Sequence, residues 1–150
     1  MTPTARTLAE LRAHGWTAQV VEHWNSFAHI RQDLFGVIDI VAVAPGRGFF
    51  GVQATSSTNI STRVAKSKAE PRLKTWLEAG GRFAVVGWGK RGPRGGRKTW
   101  QPIWREIVLE QLATSPGIIE KPEHISAPLY RVLDELATVK SDHQEATHEA

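Results

Sequence analysis

Asp39 is the one polar residue in an otherwise apolar, largely β-branched run over residues 37–44, VIDIVAVA. Such a run reads as a buried strand. Burying an isolated carboxylate costs several kcal/mol, so Asp39 requires either a cation or a dense shell of hydrogen bonds. A turn at Pro45-Gly46-Arg47-Gly48 leads into residues 49–55, FFGVQAT, which read as a second strand closing a hairpin. On that strand Gln53 and Thr55 lie two positions apart and project from the same face. The hairpin therefore brings a carboxylate, an amide oxygen and a hydroxyl toward one sheet edge. Hard oxygen donors of this kind suit Mg²⁺. The competing arrangement is an Asp held by loop amides beside an incidental Gln.

Other chemistries find little support. The chain has no cysteine, which excludes disulfides, thiolate metal sites and a cysteine nucleophile. Gly46-Arg47-Gly48-Phe49-Phe50-Gly51 fits GxGxxG literally, but it joins two strands, and a dinucleotide fingerprint needs a helix after the glycines. The segment GPRGGRK lacks the spacing of a phosphate-binding loop. The six histidines show no HExxH or close pairing, and Ser56 and Ser57 have no GxSxG context.

Charge points to a polyanion. The formal net charge is +4, yet residues 1–140 hold all 19 basic residues against 12 acidic ones, a net +7. Between Arg63 and Lys98, eleven basic residues face only Glu70 and Glu78. Arg91, Arg94, Arg97 and Lys98, with Lys90 just before them, occupy a Gly/Pro-rich loop suited to following a DNA backbone. Lys68 and Ser56 add further contacts near the hairpin, and Arg31, Gln32 and Asp33 are placed to line the same cleft. Trp88, Trp100 and Trp104 read as core packing before base stacking.

The elements that must position these groups follow from periodicity and breakers. Residues 4–14 read as a helix ended by Gly15, and residues 16–24 as a strand. Residues 25–36 read as irregular. Residues 59–79 read as a long helix that Pro71 kinks or divides. Residues 82–88 and 100–109 read as two more strands that pair. This order predicts a mixed α/β (α+β) fold around one sheet, with a core domain over residues 1–112. Residues 113–140 read as a linker and a short helix with Leu129, Val132, Leu133 and Leu136 on one stripe; residues 141–150 read as a disordered acidic tail. No apolar run is long enough to span a membrane, and a cytoplasmic protein is expected.

The run Gly36-Val37-Ile38-Asp39-Ile40-Val41-Ala42-Val43, its glycine-bearing turn and Gly51-Val52-Gln53-Ala54-Thr55-Ser56 resemble the core of the PD-(D/E)XK nuclease superfamily. From Leu8 to Trp104 the chain is most similar to archaeal-type Holliday-junction resolvases and related phage proteins. The resemblance implies a restriction-endonuclease-like core and Mg²⁺-dependent hydrolysis of DNA phosphodiesters, with Mn²⁺ as a substitute. It also implies branched DNA as substrate, a homodimer, and the host cytoplasm for a phage-encoded chain. Asp39 takes the metal-binding acid's place, Gln53 that of the second acid, Thr55 that of the catalytic lysine, and Glu10 that of an additional acid on the first helix. With that lysine gone, the resemblance implies a basic residue on the following helix, Arg63, Lys66 or Lys68, of which Arg63 and Lys66 share one face and are favoured. The alternative is a catalytically inactive DNA-binding module on the same fold.

Overall fold

A computed structural model describes residues 1–112. The linker, helix and tail expected over residues 113–150 lie outside the described residues. The fold is mixed α/β, a five-stranded mixed sheet with helices on both faces. In chain order the elements are α1 (Pro3–Ala13), β1 (Thr17–Val20), β2 (His23–Asn25), β3 (Ile30–Gln32), β4 (Ile40–Ala44) and β5 (Gly48–Ser56). A 3-10 turn (Ser57–Asn59) then leads to α2 (Ile60–Ala69), α3 (Pro71–Glu78), β6 (Arg82–Arg91), β7 (Thr99–Ile107) and α4 (Leu109–Leu112). The strand order is β1-β4-β5-β6-β7, with β5 and β6 parallel and every other pair antiparallel. No helix among the described residues is long and apolar enough to cross a membrane.

Alternation along β5 divides the core. Phe50, Val52 and Ala54 turn toward α1, where they pack with Leu11, Trp16, Ile40, Ala84, Val86, Trp88 and Trp104. The opposite face carries Ile38, Ile60, Leu73, Phe83, Val85 and Ile107 beneath α2 and α3. Gly87 makes that approach possible, because a Cβ there would collide with Ile60 and with the Ser57 backbone. The Thr2 hydroxyl caps α1, accepting from the Ala5 amide at 3.1 Å. The buried Thr7 hydroxyl accepts from Trp88 Nε1 at 2.9 Å, pinning α1 to β6. Trp88 and Trp104 are therefore core residues, as packing predicts, whereas Trp100 is 45% exposed.

The helix expected over residues 59–79 does divide at Pro71. Glu70 leaves helical geometry, and its carboxylate caps α3 through the Arg72 amide. Two expectations need correction. The strand expected over residues 16–24 ends at Val20, and residues 25–36 are not irregular. Val21 N and Glu22 N both donate to the Asp39 carbonyl, at 2.8 and 3.3 Å. Two residues thus oppose one, a bulge that turns the chain away from the sheet. Beyond it, β2 and β3 form a separate two-stranded ribbon with His23 opposite Gln32, Trp24 opposite Arg31 and Asn25 opposite Ile30. Likewise β4 begins at Ile40, so Asp39 sits at the mouth of the strand instead of inside it.

Candidate metal and phosphate site

Asp39 is held from three directions. Its amide donates to the Val52 carbonyl at 2.9 Å, its carbonyl accepts from Val21 and Glu22, and its Oδ2 accepts from the Ala54 amide at 2.9 Å. The last bond occupies the edge of β5 where β4 has ended, since Ile40 pairs with Val52 and nothing of β4 continues past it. A backbone donor that a strand partner would normally engage is satisfied by a carboxylate instead. This holds Asp39, only 5% exposed, at the floor of a cleft of about 550 Å³.

Two further acids converge there. The ribbon register puts Glu22 and Asp33 one step beyond the His23–Gln32 pair. On the other side, Leu34 bridges to Ile38, which sets Asp33 and Asp39 at the next position. The tight turn between them puts Phe35 and Gly36 at positive φ, 55° and 73°. A non-glycine residue in that region stores strain, and Phe35 is retained there by edge packing on Trp76 and by the Arg72 guanidinium over its ring. As a result, carboxylate oxygens of Glu22, Asp33 and Asp39 lie within 4.8 Å of one another. Burial, followed by the Asp33 and Glu22 charges, pushes Asp39 up to about 7, although the Ala54 hydrogen bond opposes that rise.

The cleft also has a basic lining. Arg63 and Lys66 of α2 border it together with Arg31, Gln53, the cap residue Thr2, and Thr4, Ala5 and Leu8 of α1. Arg31 also pairs with Glu22 at 3.3 Å. Gln53 is buried, and the single proton of the buried Ser67 hydroxyl is shared between the Arg63 carbonyl at 2.8 Å and Gln53 Oε1 at 3.3 Å. That bond ties the amide to α2, and the donors clustered with Asp39 are the carboxylates of Glu22 and Asp33.

Several residues expected at the site lie elsewhere. Glu10 pairs with His14 at 3.2 Å. Five residues after Ala5, it lies on the far side of α1 from the face that lines the cleft. Thr55 is buried on the α2 side and does not line the cleft, nor does Gln32. Ser56 is engaged with Thr58 Oγ1 at 3.0 Å, and Lys68 is exposed on α2 outside the lining. Lys90 and Arg91 end β6, and Arg94, Arg97 and Lys98 occupy the exposed tip of the β6–β7 hairpin. This hairpin belongs to the same end of the molecule as the cleft. Trp100, at its base, is flanked by Arg6 of α1 at 4.2 Å and by Lys90 at 5.6 Å.

Glu22 was missed from sequence because the bulge that aims it has no composition of its own. The one trace is the adjacent pair Val20-Val21, which breaks the alternation of the preceding strand. Asp33 was legible as a cleft-lining residue and not as a ligand.

Three carboxylates sharing one small volume repel one another, and a divalent cation with hard oxygen preferences relieves that repulsion. The donor set fits Mg²⁺. A Mg²⁺ ion bound there would have to displace the proton that Asp39 retains below about pH 7. We therefore expect millimolar Mg²⁺ to raise the melting temperature at pH 8 by several degrees and to do almost nothing at pH 5. Differential scanning fluorimetry with Mg²⁺ or EDTA checks this; equal shifts at both pH values would place the ion elsewhere. Compared with known protein families, with curated proteins and with solved structures, the chain finds no match.

Proposed function

We propose that the chain is a Mg²⁺-dependent DNA endonuclease that hydrolyses phosphodiester bonds in branched DNA and acts as a homodimer. The observation that carries this reading is that the Glu22–Asp33–Asp39 carboxylates and the basic residues Arg63 and Lys66 line one cleft. Phosphodiester hydrolysis needs both halves: oxygen donors for a divalent cation, and fixed positive charge for the phosphate. The resemblance to PD-(D/E)XK nucleases and their restriction-endonuclease-like core adds to it at Asp39, the position that the resemblance assigns to the metal-binding acid.

In this mechanism Glu22, Asp33 and Asp39 would hold the ion. When bound, Mg²⁺ supplies charge neutralisation at the scissile phosphate and a water of lowered pKa. Arg63 and Lys66 orient the phosphate from the α2 wall, three positions apart on one helix face. Ser67 holds that wall in place through Gln53. The exposed β6–β7 hairpin binds flanking phosphates, which gives affinity without reading sequence.

Labelled four-way junction, duplex and single-stranded DNA, each with Mg²⁺, Mn²⁺ or EDTA, test the reading. Metal-dependent cleavage of the junction supports it. Tight binding with no cleavage in either metal would sink it and leave the inactive DNA-binding module, the reading that Gln53 in place of an acid favours. For the hairpin, neutralising Arg94 and Arg97 together is expected to reduce the slope of log affinity against log salt by about 2, roughly one ion per phosphate contact. An unchanged slope in a fluorescence-anisotropy titration would rule those contacts out.

A further inference from the structure

Apart from the N-terminal methionine, the β2–β3 ribbon carries the three most exposed large apolar side chains among the described residues. Phe27 is 98% exposed, Trp24 59% and Ile30 50%. The ribbon springs directly from the acid cluster, since Glu22 precedes β2 and Asp33 follows β3. Its tip is firmly built: Asn25 Oδ1 accepts from the Phe27 and Ala28 amides at 3.0 and 3.1 Å, and His29 packs edge-on against Trp24.

Nothing among the described residues covers these rings, and an aromatic ring left in water on a structured tip brings no benefit to folding. Composition and place favour nucleic acid. Residues 23–32 (HWNSFAHIRQ) contain no acid, and Trp24 pairs across the ribbon with Arg31, whose side chain lines the cleft. Aromatic rings beside Arg31, which is itself held by Glu22 at the root of the ribbon, form a stacking platform for bases next to a charged backbone. A protein surface would be matched by a broader apolar patch, whereas this ribbon is narrow and projects. Strands of three residues span roughly 10 Å, about three base steps at 3.4 Å each.

We infer that the β2–β3 ribbon is a wedge in which Phe27 and Trp24 stack on an unpaired or unstacked base, within about three nucleotides of the phosphate held in the cleft. The inference rests on the nucleic-acid part of the nuclease reading. It names what selects the substrate: a discontinuity in base stacking, not a base sequence.

The test uses the whole protein with Ca²⁺ in place of Mg²⁺, so that binding is read without cleavage. Two probes are compared, a plain duplex and the same duplex with unpaired bases carrying 2-aminopurine. Phe27→Ala is expected to lose about tenfold in affinity for the unpaired probe, together with the 2-aminopurine fluorescence change, and to stay within about twofold on plain duplex. Phe27→Trp should retain both. An exposed ring contributes little to the fold, so the melting temperature should not move. Wild-type behaviour of Phe27→Ala on the unpaired probe overturns the inference, as does an equal loss on both probes. A change in sedimentation of the free protein, with DNA binding intact, would make the ribbon a contact between copies and also overturn it. If the wild type binds neither probe, the inference and the nuclease reading fall together. Stacking on the unpaired probe without any cleavage in Mg²⁺ supports the wedge and sinks only the catalytic claim.

Discussion

Asp39→Asn should abolish cleavage, by at least about a thousandfold, while making the protein more stable. The loss follows from position, because Asp39 is the acid to which Glu22, Asp33 and the edge of β5 are all assembled. The gain follows from linkage. In the unfolded chain Asp39 has its ordinary value of 3.8, and in the fold burial and two neighbouring acids push it to about 7. Between those values the folded chain keeps a proton that the unfolded chain has lost. Stability therefore falls as pH rises through that window, and the full penalty, on the order of 4 kcal/mol, is present above it. Asparagine accepts the Ala54 amide through its own Oδ1 and carries no charge. In EDTA, the variant and wild type should melt together near pH 4 and diverge up to about 10 °C by pH 8, with the variant higher. A pH series of melting curves on both proteins checks it. A constant difference, or a less stable variant at pH 8, would mean that Asp39 is ionised and compensated in the fold. A site held against its own stability is a familiar price of function.

The same competition between charge and fold explains what was legible beforehand. Asp39 stood out because a carboxylate in VIDIVAVA contradicts its neighbours, and its requirement for a hydrogen-bond shell is met by the Ala54 amide. The hairpin of β4 and β5, the division of the helix at Pro71 and the pairing of β6 with β7 were equally legible, because each rests on a local breaker or on alternation within one segment. Glu10 and Glu22 show where such reasoning stops. Both acids are compatible with a cleft in one dimension. Rotation about α1 carries Glu10 away to His14, whereas a single extra residue opposite Asp39 swings Glu22 in. The ribbon escaped for a related reason: its strands have three residues each and are exposed or half-buried throughout, so no alternation marks them. Asp33 reaches Asp39 only because the chain reverses through Phe35 at positive φ, a conformation that its side chain does not advertise.

Replacing both Arg63 and Lys66 by alanine should cost about a thousandfold in the cleavage step or more, with DNA affinity reduced far less. The strand position that the resemblance assigns to a lysine holds Thr55, buried outside the cleft lining. β5 carries no positive charge, and the cations that line the cleft are Arg63 and Lys66 of α2 and Arg31, which is already paired with Glu22. A fixed donor aimed at charge that develops during reaction contributes about a hundred- to a thousandfold in rate. Ground-state affinity for DNA comes mostly from summed phosphate contacts, and the β6–β7 hairpin retains five basic residues for those. The two single variants separate the roles. Lys66 is exposed on α2 and its removal leaves the fold intact, whereas Arg63 is half-buried and its carbonyl accepts from Ser67, the residue that holds Gln53. Alanine retains that carbonyl, so Arg63→Ala should also keep its melting temperature within a few degrees. Single-turnover cleavage of a junction, beside anisotropy binding to the same DNA in Ca²⁺, measures both quantities. Equal losses in rate and affinity would reduce Arg63 and Lys66 to phosphate contacts like those of the hairpin. Loss of rate alone would identify the α2 wall as the group that takes over the missing lysine's work.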